Sequence, residues 1–192
     1  MDKREKLALF LGMLSGEGYR DYAVRFCNTD KNLVSLFEGL FFDIFGEHGR
    51  ISYEDRTDKK RLFSFCKYSK KIVNNVRELG FPEGVKRDVL RVPKIIKNGE
   101  RGEKIAFFIG LLITDGCMRE NGSISFHLGS KVFLEEISEL VSEFTGINKP
   151  IKEYIQRERF KSYQLNLSKS ETRVLLSDMP TWDNGTPLVL RF

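Results

Sequence analysis

Two acidic residues, each followed by glycine, end two similar apolar segments of the chain. Residues 10–18 are Phe-Leu-Gly-Met-Leu-Ser-Gly-Glu-Gly, and residues 108–116 are Phe-Ile-Gly-Leu-Leu-Ile-Thr-Asp-Gly. The acids Glu17 and Asp115 are 98 positions apart, and so are Gly12 and Gly110. Two carboxylates brought close together repel each other, which favours a divalent cation between or beside them. The repeat therefore predicts carboxylate chemistry at a metal ion.

The same segments predict two helices that pack against each other. Leu, Met, Ile and Phe are good or tolerated helix formers, and each segment runs without proline into a glycine that can end a helix. Gly12 and Gly16 lie on one helix face, and Gly110 and Thr114 take their places in the second copy. Small residues let two helix backbones approach closely. We therefore expect paired helices along a pseudo-twofold axis, with both carboxylates delivered to one end of it.

The rest of the composition leaves few other kinds of catalytic site open. Cys27, Cys66 and Cys117 are odd in number and far apart, without a Cys-x-x-Cys pair. This spacing favours neither a disulfide framework nor a thiolate zinc site, so we expect reduced, inert and packed thiols. The two histidines, His48 and His127, are too separated to form a metal cluster, and no Ser-His-Asp or Cys-His arrangement is evident.

Net charge and hydropathy limit the classes of partner that the chain could bind. Its 192 residues carry a net charge of +5 with a pI near 9.1. This permits a polyanionic partner, although many proteins without a nucleic-acid role are equally basic. The longest apolar run, Leu7 to Leu14, is too short for a bilayer, and no targeting signal is evident. We expect no membrane partner and a cytoplasmic, nucleoid-associated location.

Hydrophobic periodicity predicts the same order of elements twice. The first half is predicted as helix 6–17, an undelimited strand after Tyr19, strand 22–28, helix 31–45, strands 48–54 and 62–68, and helix 70–79; the second half repeats it with strand 123–128, helix 131–144 and strands 150–156 and 163–167. We therefore predict an α+β fold of two pseudo-symmetric αββαββα repeats, each with an antiparallel sheet. The predicted repeats are 1–92 and 105–192, with a predicted linker at 93–104. Residues 80–96 carry turn residues and little helical periodicity, which indicates a connector between the halves.

The paired motifs and the approach to the second one resemble a known family. Residues 80–86, Gly-Phe-Pro-Glu-Gly-Val-Lys, lead through Val92-Pro93 to the second motif helix. Together these features are similar to the LAGLIDADG homing endonucleases of the single-chain, two-motif type. The resemblance implies site-specific cleavage of double-stranded DNA, with Glu17 and Asp115 as catalytic residues. It also implies that these acids, with the preceding Gly16 and Thr114, bind Mg²⁺, for which Mn²⁺ could substitute.

A sheet with helices on one face leaves its other face open for DNA. Two such sheets side by side would form a concave saddle that fits the major groove. Polar residues that alternate with apolar ones are candidates for base contacts, and basic residues of the hairpin turns are candidates for phosphate contacts. The candidates are Arg25, Asn28, Arg50, Ser52, Lys67, Ser125, His127, Lys152, Tyr154, Gln156, Gln164 and Asn166 on the strands, and Lys59, Lys60, Arg61, Arg159 and Lys161 in the turns.

One departure from the family pattern bears on turnover. Members often carry a lysine at the end of the first long strand, but this chain has Asn28-Thr29 and Leu128-Gly129 there. The nearest substitutes are Lys31 and Lys131, two residues later. The alternatives to a monomeric DNA endonuclease are therefore a DNA-binding protein that does not cleave and an RNA-binding maturase that recognises intron RNA. A fold alone does not decide between these activities.

Overall fold

The computed structural model describes residues 1–16, 18–20, 22–57, 59–82, 89–156 and 160–177, without the side chains of 18–20, 156 and 160. The first half comprises α1 (Lys3–Gly16), β1 (Gly18–Arg20), β2 (Val24–Asn28), α2 (Lys31–Phe45), β3 (Arg50–Glu54), β4 (Leu62–Lys67) and α3 (Lys70–Glu78). A short helix, α4 (Lys94–Lys97), lies between the halves. The second half comprises α5 (Arg101–Asp115), β5 (Gly116–Met118), β6 (Ile124–Leu128), α6 (Lys131–Thr145), β7 (Lys152–Gln156), β8 (Phe160–Leu167) and α7 (Lys169–Leu176).

Each half forms one four-stranded antiparallel sheet, and the two sheets have the same topology. The strand orders are β1-β2-β4-β3 and β5-β6-β8-β7. The predicted αββαββα order and the α+β fold class are therefore confirmed. Three residues separate β1 from β2, whereas five separate β5 from β6. This longer turn explains why the motif copies are 98 positions apart but the later strands are 100 positions apart.

Aromatic packing joins the first motif helix to its sheet. The Phe37 ring, on α2, stacks on Phe26 of β2 with centroids 4.4 Å apart, and it lies 4.9 Å from the Phe10 ring of α1. All three side chains are fully buried. The predicted caps hold α2 in place: Asp30 accepts a hydrogen bond from the Asn32 N–H, and Gly46 ends the helix with φ +69°. The aromatic stripe on α2 is thus core, as its helical spacing indicates.

An ion pair between the motif helix and the next helix recurs in both halves. Lys6 Nζ on α1 lies 2.9 Å from Asp43 Oδ2 on α2, and Lys104 Nζ on α5 lies 2.5 Å from Glu143 Oε2 on α6. Both lysine side chains are largely buried, at 17% and 13% exposure. The duplication therefore extends to the contacts that orient each motif helix against its own half.

Two predictions about local structure are wrong, and the predicted linker contains a short helix. The linker helix is α4. Glu136 of α6 holds this segment by accepting hydrogen bonds from the Val92 N–H and from Lys97 Nζ. Hydrophobic periodicity in the sequence does not reveal such a long-range contact. Strand β8 begins at Phe160, so Lys161 lies in a strand and not in the turn. Cys117 is exposed and not packed. None of the helices in the described part of the chain is long and apolar enough to span a membrane.

Candidate active site and nucleic-acid interface

The two motif helices cross where Gly12 faces Gly110. A β-carbon at Gly12 would collide with the Phe107 carbonyl oxygen and lie 3.0 Å from the Gly110 Cα. One at Gly110 would collide with the Leu9 carbonyl oxygen and lie 2.8 Å from the Met13 nitrogen. The neighbouring atoms are backbone, which cannot rotate away. The close approach that the paired glycines predict is therefore present.

The second small pair lies at the C-terminal end of the helices, beside the acid of the second motif. A β-carbon at Gly16 would lie against the Thr114 side chain and 3.3 Å from Asp115 Oδ2. Thr114 Oγ1 donates to the carbonyl oxygens of Gly110 and Leu111, at 3.0 and 3.1 Å. The fold thus brings Gly16, Thr114 and the Asp115 carboxylate together across the boundary between the halves. Glu17 lies outside the described residues.

A cavity of about 410 Å³ opens beside Asp115. Its described lining consists of Ser15, Gly16, Leu90, Asp115, Leu128, Gly129, Ser130 and Phe133. Among these, Asp115 is the only charged residue. The cavity therefore places a carboxylate against a wall that is otherwise apolar or neutral.

The structure rejects Lys131 as a substitute for the missing lysine. Leu128 and Gly129, which occupy the expected lysine position, line the cavity directly. Lys131 instead borders a separate groove with Glu135, and its Nζ lies 3.6 Å from Glu135 Oε1. The described lining of the cavity includes Ser130 and Phe133 but not Lys131, which is exposed at the start of α6. In the first half, Asn28 holds the turn before α2 by accepting a hydrogen bond from the Asp30 N–H, 2.8 Å long.

The second sheet presents most of its predicted polar residues on one face. Residues directly opposed in an antiparallel pair point to the same side, and neighbours along a strand alternate. Lys152 opposes Gln164, Gln164 opposes His127, and Asn166 opposes Ser125. Tyr154 lies two residues beyond Lys152 and is on the same side. These residues therefore share the face opposite buried Phe126 and Leu165, and Gln156 follows them in register.

In the first sheet, two predicted contact residues lie on the wrong face. Arg25 and Arg50 oppose Cys66, and Ser52 opposes Ser64, so these face the open side. Lys67, however, opposes fully buried Val24 and forms an ion pair with Glu47, 2.7 Å long. Asn28 opposes Phe63 and shares the side of buried Phe26. Lys67 and Asn28 therefore point towards the helices and do not belong to the open face.

Two of the residues predicted to contact phosphate already form ion pairs with neighbouring carboxylates. Arg61 donates to Asp55 through Nε and Nη2, at 2.6 and 3.3 Å, and Lys161 Nζ lies 2.8 Å from Glu153. The hydrogen bond from each cation to its carboxylate raises the pKa of Arg61 and of Lys161. Lys59 and Lys60 are exposed in the turn, and Arg159 lies outside the described residues. Phosphate contacts by Arg61 or Lys161 would have to compete with these ion pairs.

Sequence reasoning missed Arg119 as a surface cation beside the second sheet. An open groove of about 490 Å³ is bordered by Arg119, Lys149, Lys152, Tyr154, Asn166 and others. The turn that precedes β6 positions Arg119, whose N–H donates to the Ser123 carbonyl oxygen at 2.9 Å. The sequence feature that could have identified Arg119 is its place as a basic residue just before the Asn121-Gly122 turn. The groove adds positive charge beside the polar face.

Comparison with known proteins identifies the fold. The model of the LAGLIDADG-like domain family matches residues 102–178. The structure of I-DmoI in complex with DNA and Ca has a TM-score of 0.68 and 18% identity, over 98% of this chain and 95% of that chain. Full-length DUF199/WhiA from Thermatoga maritima has a TM-score of 0.64 and 15% identity, over 96% and 58%. The predicted LAGLIDADG resemblance is confirmed, and at these identities the structural matches establish the fold.

A longer protein also matches part of this sequence. An A-type ATP synthase subunit from Pyrococcus abyssi (strain GE5 / Orsay) is 31% identical over 153 residues, which are 79% of this chain. The match spans only 14% of the length of that protein. The similarity therefore concerns a small part of the larger protein.

Proposed function

We propose that this chain, a LAGLIDADG-family protein with two repeats, binds double-stranded DNA site-specifically and hydrolyses its phosphodiesters with a divalent metal. The observation that carries the proposal is the placement of Asp115. Its carboxylate lies beside Gly16 of the other motif helix, at the end of a glycine-mediated crossing, and Gly116 begins the second sheet directly after it. A DNA duplex on the open sheet faces would bring a phosphate to this carboxylate.

The donor atoms at the crossing fit Mg²⁺. Asp115 offers carboxylate oxygens, Gly16 a main-chain carbonyl, and Thr114 only the lone pairs of a hydroxyl whose proton is donated to the backbone. All are hard oxygen donors, which suit Mg²⁺ or Mn²⁺ with retained waters. The described residues contain no group of three or more His, Cys, Asp or Glu side chains that could hold a metal ion, and Glu17 lies outside them. Structures of I-DmoI with DNA include Ca, Mn or Mg, which supports a divalent ion.

Each residue of the site has a separate role in the proposed reaction. Asp115, and Glu17 from the first repeat, hold the cation near the two scissile phosphates. The cation, when bound, would polarise a phosphate and lower the pKa of a bound water. The Gly12–Gly110 crossing fixes the distance between the two repeats, and Gly16 leaves room beside the Asp115 carboxylate. No described lysine of the cavity would stabilise the leaving oxygen, so we expect slow turnover.

A second candidate function is DNA binding without cleavage. The observation that favours it is the cavity wall at Leu128 and Gly129, where the family pattern places a lysine. The polar face of the second sheet does not depend on this wall. DNA binding would therefore survive even if the metal site supported no hydrolysis.

The deciding experiment selects bound duplexes from a randomised DNA pool and then incubates them with Mg²⁺ or Mn²⁺. We expect the wild-type protein to cut both strands and Asp115→Asn to cut at most one. Glu139→Gln, which removes an exposed acid on α6, is the matched control and should cut normally. Intact duplexes with both metals would leave the non-cleaving function standing. Preference for folded intron RNA over the selected duplex would instead support the maturase alternative.

A further inference from the structure

Three hydrogen-bonding side chains form a continuous row across the second sheet. Lys152 on β7 opposes Gln164 on β8, which opposes His127 on β6. Lys152 and His127 are exposed, whereas Gln164 between them is only 6% exposed. The corresponding row of the first sheet is Ser52, Ser64 and Cys27. We call the two sets the Lys-Gln-His row and the Ser-Ser-Cys row.

A hydrogen bond within the Lys-Gln-His row orients the histidine ring. Gln164 Nε2 lies 2.6 Å from His127 Nε2. With the amide nitrogen as the donor, the imidazole nitrogen at this contact is the acceptor. In the neutral ring the proton is then on Nδ1. The Tyr154 ring, 6.4 Å away between centroids, flanks the imidazole on the same face. In this tautomer His127 presents an Nδ1–H donor on the same face as Lys152, with Gln164 between them.

We propose that the Lys-Gln-His row is a specificity-determining element of this protein and that it selects guanine. The inference rests on the proposed DNA binding and names the bases that the bound site must contain. Lys152 has donors only, and His127 in this tautomer directs a donor outward. In the major groove, guanine presents two acceptors, N7 and O6, whereas cytosine presents the N4 amino donor. Each donor thus favours guanine, which offers two acceptors, over adenine and thymine, which offer one each, and over cytosine, which offers none.

The register places these contacts close to the candidate metal site. Phe126, which precedes His127, opposes Gly116, and Gly116 directly follows Asp115. His127 is therefore one residue along β6 from the strand partner of Gly116, the glycine that follows the proposed metal-binding acid. We infer that the guanines lie in the second half of the DNA site, on its inner side near the cleaved phosphates. The Ser-Ser-Cys row lacks a charged or amide group, so this row adds no equivalent guanine requirement in the other half, where Arg25 and Arg50 lie in another row.

Gln164 is a positioning residue, since it acts through the tautomer of His127. Gln164→Leu keeps a side chain of similar size but removes the donor, so the Nδ1–H tautomer loses its support. The chain has two histidines, and His48 lies in the other half, which simplifies assignment of the imidazole ¹⁵N signals. We expect wild-type His127 to show the Nδ1–H pattern and Gln164→Leu to shift towards the ordinary mixture. A structural role alone would not move this signature.

The test selects duplexes from a randomised pool in EDTA, so that binding is measured without cleavage. We expect a guanine in the site whose selection drops about tenfold in His127→Ala and in Gln164→Leu, and a second guanine with the same response to Lys152→Met. Ser64→Ala, at the position equivalent to Gln164, is the control and should select the wild-type site. Unchanged guanine preferences in folded variants would overturn the inference. A wild-type protein that enriches no sequence would instead overturn the proposed DNA binding itself.

Discussion

The two sheets have one topology but carry different chemistry on their open faces. At equivalent positions, the second sheet has Lys152, Gln164 and His127 where the first has Ser52, Ser64 and Cys27. The arginines of the first sheet, Arg25 and Arg50, lie together in another row. A duplicated backbone therefore does not imply a duplicated binding surface, because exposed strand positions can change without disturbing the core.

The interior of the two halves remained alike for a physical reason. Gly12 and Gly110 contact each other's backbone, so a larger residue at either position would separate both halves. Lys6 and Lys104 each pair with an acid on the following helix at low exposure. Each interior contact constrains both partners, whereas each open-face side chain is constrained by its ligand alone. The predictions below test this difference, from the largest expected effect to the smallest.

Substitution at the helix crossing should affect both halves equally. Gly12→Ala and Gly110→Ala each place a methyl group against backbone, so we expect each to lower the free energy of unfolding by about 3 kcal/mol. Urea denaturation would measure the loss. Gly39→Ala, at a helical position with nothing within 4 Å of the added carbon, should instead raise stability by about 0.5 kcal/mol. A large loss at only one of the two crossing positions would contradict the symmetric interior.

Making the two rows alike should remove specificity and preserve the fold. Lys152→Ser combined with Gln164→Ser gives the second sheet the polar residues of the first, and we expect discrimination at the guanines to fall by about 2 kcal/mol. Competition between the selected duplex and one with a cytosine at each guanine would measure the change. Ser52→Ala combined with Ser64→Ala should change this ratio by less than about twofold. Equal losses from both double variants would show that the two faces contribute alike.

The second half contains a buried acid, Glu171, that has no counterpart in the described part of the first half. Glu171 caps α7 with Ser168 and lies 2.8 Å from Lys149 Nζ, whereas the first turn of α3 contains Ile72. Burial by itself would raise the pKa of Glu171, but hydrogen bonds from Lys149 and Ser168 lower it below the ordinary 4.5. The unfolded chain therefore binds this proton more readily, so the stabilisation is complete above about pH 4.5 and is lost as pH falls through the folded pKa.

Glu171→Gln should reduce stability at pH 7 by about 1 kcal/mol, because the charge-assisted cap is lost. It should also flatten the fall in stability between pH 5 and about pH 3, in urea denaturation at each pH. Glu139→Gln, which removes an exposed acid in the same half, is the control. A variant that retains the wild-type acid slope would show that Glu171 is not responsible for it.

The smallest expected effect concerns the repeated ion pairs. Lys6→Met and Lys104→Met keep the apolar stem of each lysine, so each should cost only about 0.5 kcal/mol in thermal or urea unfolding. The two losses should agree within error, since both lysines are similarly buried and both pairs join equivalent helices. A loss of stability in only one of the two variants would show that the ion pairs are not equivalent, and that the symmetry of the interior is limited to the glycine crossing.

The order of elements and the helix pairing followed from local patterns. Two apolar segments with glycines in register predict the crossing, because glycine spacing on a helix determines how close two backbones can come. Asp30 and Gly46 mark the ends of α2, since capping depends on neighbouring residues alone. Alternation within β6 and β7 likewise placed His127, Lys152 and Tyr154 on a common face. These features depend on contacts within an element or on a strong repeat.

The tertiary structure decided which face and which partner each remaining side chain has. Because side chains alternate along a strand, Lys67 must lie on the opposite face from its two neighbours. Only the pairing of β4 with β2 shows that this face points towards the helices. Sequence spacing likewise does not reveal that Asp55 binds Arg61, or that Leu90 and Phe133 enclose the space beside Asp115. Ser130 and Phe133 line this space, whereas Lys131, which lies between them in the sequence, does not. Strand register and long-range packing determine these features, because they bring together residues that no local pattern connects.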